Sequence, residues 1–309
     1  MNIQTAGVVG GGTAGRGIAR ALAQAGVDVV LCEAGPEMLE KSLAQLREGM
    51  NRDIARWAMT DTERDAVLAR VKGSISLEEL SEVPVVFEAI QEDRERKATL
   101  LDRLDRICRE DTVFFTNTST LSVTELGEKL PARRRPRFAG LHFLHPVPRV
   151  SAVELVQGRE TSKETLGVAR EVGALLEKEV VEVSEYPGYV TTRLTLALVN
   201  EAMNTLLEGV ATRDGIDRSM KLRLGGSHGP LALADEMGLD SVHRALESLW
   251  SELGLPQFRP SPVLRMMVSR GWLGEKSGRG FYQYDESGQR VEDETLDLGR
   301  PELEELIRG

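Results

Sequence analysis

The sequence predicts an α/β protein, a doubly wound parallel sheet followed by an all-helical C-terminal domain. Three observations predict it. The chain opens on a strand, a glycine turn and a helix; strands and long amphipathic stretches then alternate to about residue 186; beyond that point the periodicity is helical almost throughout.

In order, Ala6-Gly7-Val8-Val9 reads as a buried strand, and Gly15–Ala25 as the helix after the glycine turn. Asp28–Cys32 (DVVLC) is a second buried strand. From Pro36 to about Val71 the chain is charged and helical in period, with a break at Thr60-Asp61, where Asp61 or Thr62 is the expected cap. Val85–Glu88 reads as a strand, Arg94–Arg109 as a helix and Thr112–Thr116 as a strand. Strands at Arg137–Phe143 and Val153–Val156, a helix at Lys163–Glu177 and a strand at Val180–Val183 complete the alternation, which is the pattern of a parallel sheet covered on both faces. At Tyr186-Pro187-Gly188 the character changes. Helical periods then run over Val190–Glu208, Arg213–Leu222, Gly229–Met237, Leu239–Leu253 and Pro262–Arg270. The expected domains are therefore 1–186, 187–285 and an acidic tail, 286–309, ending in a short helix at Pro301–Ile307.

Composition narrows the function. The 309 residues are 41% hydrophobic and 28% charged, with a formal net charge of −10. That acidity argues against nucleic acid, whose binding rests on clustered Lys and Arg. The basic run Arg133-Arg134-Arg135 with Arg137 reads mainly as a solvated loop, with a phosphate handle as its best alternative target. No apolar run reaches the ~18 residues of a membrane span, and the N-terminus lacks a signal-peptide pattern. Cys32 and Cys108 lack metal-type spacing and read as buried, reduced thiols of a cytoplasmic protein with no metal site.

Gly10-Gly11-Gly12-Thr13-Ala14-Gly15 matches G-x-G-x-x-G between a strand and a helix. Gly10 permits the tight turn, Gly12 lets backbone approach a pyrophosphate, and Gly15 lets helix pack on strand. The phosphates then sit at the positive end of the helix, over Thr13 and Ala14. Glu33, at the end of the second strand and 18 residues past Gly15, stands where an acid binds the ribose hydroxyls. A carboxylate there repels the 2′-phosphate of NADP, and the next basic residue along the chain is Lys41. The expected cofactor of this Rossmann-type domain is NAD.

From Gly10 onward the chain resembles the L-3-hydroxyacyl-CoA dehydrogenase family, which includes the bacterial 3-hydroxybutyryl-CoA dehydrogenases, over roughly residues 3 to 285. GGGTAGRGIA (Gly10–Ala19) is similar to the family's opening, and EAIQEDRERK (Glu88–Lys97) to its fourth-strand signature. TNTSTL (Thr116–Leu121) resembles SNTSSL; GLHFLHPVP (Gly140–Pro148) resembles GLHFFNPVP; PGYVTTRL (Pro187–Leu194) resembles PGFIVNRL. GEKSGRGFYQY (Gly274–Tyr284) resembles the closing GKKTGEGFY. The resemblance implies a helical domain that dimerises, and oxidation of the 3-hydroxyl of an acyl thioester with hydride passing to nicotinamide, as in fatty acid metabolism.

Taking hydride from a secondary alcohol needs a base for the hydroxyl proton, and an imidazole suits because its unperturbed pKa is about 6.5. The chain has four histidines, His142, His145, His228 and His243. His142 ends an expected strand at the carboxyl edge, where open parallel sheets bind ligands. A lone histidine there is as readily a satisfied core residue. The resemblance makes it the base, and Glu154, 12 residues on, its orienting partner. It also implies that Ser119 hydrogen-bonds the substrate oxygen, that Asn117 lies by the cofactor, and that Glu92 and Lys97 lie near the cofactor and the CoA part of the substrate. Ser119 could instead be a turn residue, and Glu92 and Lys97 surface charges.

Two departures bear on the reaction centre. His145 stands where the family motif has Asn, and Thr192 replaces the Asn of VNRL, which the family points into the site. Threonine keeps one hydrogen bond but loses the amide. Lys221, Leu222, Gly229-Pro230 and Asp235 resemble a stretch near the family's acyl site, where His228 replaces an apolar Met and suggests a short or polar acyl group. Three readings stay open: a short- or medium-chain 3-hydroxyacyl-CoA dehydrogenase; a relative acting on a carrier-protein thioester or small hydroxy acid; and a non-catalytic NAD-binding protein. Apolar positions such as Leu194, Leu198, Met203, Leu206 and Leu207 read mostly as core, with a homodimer through this domain expected.

Overall fold

The computed structural model describes residues 3–226, 228–285 and 288–291. Two compact units divide at Tyr186/Pro187. The terminal helix expected at Pro301–Ile307 lies outside the described residues, as does the acidic tail apart from 288–291.

In the first unit the chain runs β1 (Thr5–Val9), α1 (Thr13–Gln24), β2 (Asp28–Cys32), α2 (Pro36–Ala55), α3 (Asp61–Ala69), β3 (Val71–Ser74), β4 (Val85–Glu88) and α4 (Arg94–Ile107). It continues through β5 (Val113–Thr116), α5 (Val123–Glu128), β6 (Phe138–Phe143), β7 (Ala152–Val156), α6 (Lys163–Leu175) and β8 (Glu179–Val183). The eight strands form one sheet in the order β3-β2-β1-β4-β5-β6-β7-β8. Its first six places follow the order of a dinucleotide-binding sheet. Every residue of β4, β5 and β6 is buried, as strands covered on both faces must be.

Four sequence expectations change. The sheet is not wholly parallel: β7 runs antiparallel to β6, with His142 opposite Glu154. The stretch after α3 does not end as helix at Val71. Val71–Ser74 pairs with β2 as an edge strand, and Gly73 leaves room for Leu39 and Leu43, which a Cβ would meet at 2.9 and 3.0 Å. The cap of α3 is Thr60, not Asp61 or Thr62. Its hydroxyl accepts from the Glu63 N–H while the Glu63 carboxylate accepts from the Thr60 N–H, a complete capping box.

The fourth change concerns the basic run, which is not a solvated loop. Arg134 is 1% exposed. Its guanidinium donates to Asp105 Oδ1 at 2.8 Å and to the carbonyls of Arg109 and Thr112 at 2.7 and 2.6 Å, and it lies over the Phe114 ring. Buried cations need this many partners. Arg133 pairs with Asp105 and Arg135 with Glu160, so the run ties α4 and β5 to the chain entering β6. Burial pushes the Cys32 thiol up to about 12 and the Cys108 thiol up to about 11, which makes both poor nucleophiles.

The second unit holds α7 (Thr191–Leu207), α8 (Arg213–Leu224), α9 (Pro230–Met237), α10 (Leu239–Leu253) and α11 (Pro262–Ser269). Leu196, Val199, Met203, Leu231, Leu246 and Met267 are among its fully buried residues. Its polar centre is a pair of buried aspartates. Asp217 accepts from the N–H groups of Leu231 and Ala232, at the start of α9, and from the Tyr282 hydroxyl. Asp235 accepts from the N–H groups of Phe281 and Tyr282 and from the Tyr284 hydroxyl. The closing GFYQY segment is thereby fastened to the helices. No helix among the described residues is long and apolar enough to cross a membrane.

Candidate active site

The glycine turn joins β1 to α1. Gly10 has φ +95°, and a Cβ on it would lie 2.8 Å from the Ala89 carbonyl oxygen. A Cβ on Gly15 would lie 1.8 Å from the Gly10 carbonyl oxygen, so only glycine lets α1 close on the turn. Gly12 is the N-cap of α1 and supplies no side-chain bond to the helix. A Cβ on Gly12 would meet nothing within 4 Å. Bare N–H groups facing open space at a helix start fit a pyrophosphate, with Thr13 and Ala14 as the first helical residues.

Glu33 follows β2 directly. Its Oε1 accepts from the Gly11 N–H and from the Ser42 hydroxyl, each at 2.8 Å. That oxygen is thereby fixed beside the glycine turn. Ser42 and Arg16, whose Nη1 donates to the Gly11 carbonyl at 2.6 Å, were not marked by the sequence. A serine or arginine reaching across helices leaves no spacing signature.

Glu88, Lys97 and Asn117 form the floor. Lys97 is fully buried on α4, and its ammonium donates to both oxygens of the buried Glu88 at 2.7 and 2.9 Å and to the Asn117 carbonyl at 3.2 Å. Thr116 donates to the same Glu88 carboxylate. The pair is thus compensated by hydrogen bonds on both sides. The Lys97 ammonium thus supports the strand ends. Asn117 accepts the Phe143 N–H on its side-chain oxygen at 2.9 Å, which locks the end of β5 to the end of β6.

Glu92 shapes the next loop. Its Oε1 accepts from the N–H groups of Ser119 and Thr120 and from the Thr118 and Thr120 hydroxyls. Burial alone would raise this carboxyl. Lys97, the Thr118 hydroxyl and the N–H groups of Thr120 and Ser119 outweigh it and hold Glu92 below the usual carboxylate range. The loop so folded presents Ser119 Oγ 3.1 Å from His142 Nε2.

His142 stands on β6 and is 6% exposed; Glu154, opposite it on β7, is 2% exposed. Nδ1 of His142 lies 2.8 Å from Glu154 Oε2. A carboxylate only accepts, so Nδ1 carries the proton and Nε2 of the neutral ring keeps its lone pair toward Ser119. Ser119, His142 and Glu154 thus form one hydrogen-bonded line at the carboxyl ends of the parallel strands, the geometry of an oriented base.

The eight residues from 144 to 151 join β6 to β7 and carry His145, which is exposed. Three ties hold this loop. Arg149 pairs with Asp53 on α2. Val147 packs against Gly17, where a Cβ would meet it at 2.8 Å. The buried Lys178 donates to the carbonyls of Val147 and Val150, and its burial lowers its pKa. Lys178 carries no signature in the sequence. Thr192 lies in the first turn of α7 in the second unit. There His228 faces Glu236, and Asp235, far from being a surface acid, is buried with a pKa raised to about 7.

Residues 5–186 match the model of the 3-hydroxyacyl-CoA dehydrogenase NAD binding domain, and residues 188–284 that of the 3-hydroxyacyl-CoA dehydrogenase C-terminal domain. A Bacillus subtilis protein named as a probable 3-hydroxybutyryl-CoA dehydrogenase is 42% identical over 289 residues, 93% of this chain and 99% of that protein. The crystal structure of (S)-3-hydroxybutyryl-CoA dehydrogenase from Ralstonia eutropha is similar with a TM-score of 0.80 and 38% identity, over 92% of this chain and 100% of that one. That of FadB2 from Mycobacterium tuberculosis is similar with a TM-score of 0.86 and 33% identity, over 92% of this chain and 99% of that one.

Proposed function

The chain belongs to the 3-hydroxyacyl-CoA dehydrogenase family, and from that membership we propose that it oxidises the 3-hydroxyl of a short or medium acyl-CoA to the 3-ketoacyl-CoA, reversibly and with NAD. The observation that carries this reading is the line from Ser119 Oγ through His142 to Glu154, at 3.1 and 2.8 Å.

NAD held at the glycine turn would supply the acceptor for the hydride leaving C3. His142 Nε2 takes the hydroxyl proton as the C3–O bond becomes a carbonyl. Glu154 holds Nδ1–H and stabilises the imidazolium that results. Ser119 donates to the substrate oxygen and keeps it on Nε2. Gly10, Gly12, Thr13, Ala14 and Gly15 would hold the pyrophosphate, and Glu33 the adenosine ribose. Asn117, Glu92 and Lys97 keep this edge in shape, and Thr192 joins the set by the motif it occupies. His228 in place of an apolar residue favours a short acyl chain.

A homodimer through the helical unit and a cytoplasmic location complete the proposal. Leu194, Leu222 and Leu224 are 65%, 76% and 63% exposed in that unit, apolar surface that a second copy would cover. The test is loss of NADH absorbance with acetoacetyl-CoA and its longer homologues, with a carrier-protein thioester in parallel. Turnover of the CoA ester, falling by about 10²- to 10⁴-fold in His142→Ala, is the expected result. Full rate in that variant removes His142 as base; no turnover of the CoA ester beside turnover of the carrier thioester replaces the handle.

A further inference from the structure

We propose that Glu185 is a positioning residue for Ser119: with Glu92 it clamps the connection that presents the serine to His142. This rests on the reading that Ser119 keeps the substrate oxygen on His142 Nε2, and it adds to that site a residue from the edge of the sheet. The connection from β5 to α5 is residues 117–122, with Ser119 third. Glu92 holds its first half through Thr118, Ser119 and Thr120. The second half is held from a different strand. Glu185 follows β8, the edge strand, by two residues. Its Oε1 accepts from the Ser122 hydroxyl and from the Thr124 N–H, the latter at 2.9 Å, and its Oε2 accepts from the Thr124 hydroxyl. Two carboxylates, each just past a strand end, therefore grip the connection on either side of Ser119.

The start of α5 depends on this grip. The helix has six residues, less than two turns, and is too short to hold its own first turn. Ser122 caps it by accepting from the Glu125 N–H at 3.0 Å, and Glu185 takes the Thr124 N–H, a donor with no partner inside the helix. The Thr124 oxygen in turn accepts from the Arg159 N–H at 3.0 Å, which brings the chain just past β7 into the same knot. Without Glu185 the connection is anchored at its Glu92 side and is slack at the other. Ser119 Oγ has to stay 3.1 Å from His142 Nε2. A shift of about 1 Å at a reacting group can cost as much as 10²-fold in rate. The first unit ends at Tyr186, one residue after Glu185, so the same carboxylate ties that exit to the loop that presents Ser119.

The experiment is a double-mutant cycle in steady-state kinetics with acetoacetyl-CoA and NADH: the native chain, Glu185→Ala, Ser119→Ala and the double variant, with Glu185→Gln as the conservative control. Melting temperatures check each fold, nucleotide fluorescence gives the Kd of NADH, and hydrogen exchange follows residues 117–122. In Glu185→Ala the expected result is a fall in kcat of about tenfold, an unchanged Kd for NADH and exchange at 117–122 faster by about tenfold or more. In the Ser119→Ala background the same substitution should cost less than about twofold, because it acts through the hydroxyl. Glu185→Gln keeps an oxygen for Ser122 and the Thr124 N–H and should stay within about threefold of native. If Glu185→Ala does not fold, Thr124→Val removes one bond of the clamp and runs the same cycle at about threefold. A native kcat in Glu185→Ala, or an equal loss with and without the Ser119 hydroxyl, would overturn the proposal. If Ser119→Ala itself runs at the native rate, the reading of Ser119 fails; exchange at 117–122 then judges the clamp alone, faster exchange in Glu185→Ala upholding it and unchanged exchange removing it.

Discussion

Glu154→Gln isolates the charge behind the base. The substitution keeps the shape of a buried side chain and an acceptor for Nδ1–H, while removing the negative charge 2.8 Å from the ring nitrogen. Two unit charges at that distance interact by about 6 kcal/mol at an effective dielectric of about 20. Desolvation offsets most of this, and hydrogen bonds to charged groups retain about 1.5–3 kcal/mol net. Because the imidazolium exists only as the hydroxyl proton moves, the loss falls on the transition state. We therefore expect kcat to drop by about 10- to 150-fold with KM little changed. Steady-state kinetics with acetoacetyl-CoA and NADH measures both. The double variant with His142→Ala should be no slower than His142→Ala alone, because Glu154 acts through the ring. A native kcat in Glu154→Gln, or full additivity in the double variant, would refute the reasoning.

Gly15→Ala should weaken NADH binding by tenfold or more and lower stability by about 1–3 kcal/mol, since its Cβ would lie 1.8 Å from the Gly10 carbonyl oxygen; a fluorescence titration and a melt decide it. Glu92→Gln removes the charge that gathers two N–H groups and two hydroxyls around Ser119, so kcat/KM should fall by about 10- to 100-fold; a native value would show that the 118–120 loop folds without it. Burial raises the Asp235 carboxyl to about 7, even though Phe281, Tyr282 and Tyr284 donate to it, and the nearby Asp217 adds to the rise. The folded state therefore holds a proton there that the unfolded chain releases near 4, and stability conferred by that proton is lost as pH rises from about 4 to about 7 and is flat above. Melts of the native chain and Asp235→Asn across that window test it: the variant should lack this slope, and parallel curves would remove Asp235 as its source.

The parts of the site that were legible in the sequence are those whose chemistry is local. A turn that needs φ +95° at Gly10 and tolerates no Cβ at Gly15 writes itself as glycines at fixed spacing. Glu33 is legible because it ends a strand at a set distance from that turn. His142 was found on a strand end, but the contact with Glu154 was supplied by resemblance, not by spacing: the two meet through an antiparallel pairing that the alternation of strands and helices did not announce. The eight-residue connection carries two prolines and none of the two-residue turn signals of a hairpin. Val71–Ser74 was hidden for a related reason, since VKGS becomes a strand only because β2 offers it an edge. Arg134 looked like surface charge, and only its carbonyl partners on the α4–β5 connection show why it is buried. Arg16, Ser42 and Lys178 act through one or two side-chain contacts to residues on other segments, for which one sequence holds no pattern.

The pairing of His142 with Glu154 also sets what can vary around it. The two are aligned by the β6–β7 ladder, with Leu141 opposite Leu155 and Phe143 opposite Val153 on either side. Side chains alternate faces along a strand, so a slip of one residue would set His142 against an apolar neighbour and turn the carboxylate to the other face. The segment from 144 to 151 is free of that constraint. Its length can change by insertion beyond Arg149 without disturbing the dyad, provided the ladder still closes on both sides. That segment carries the exposed His145, so new loops can be grafted at this point while the pairing of His142 with Glu154 is inherited unchanged.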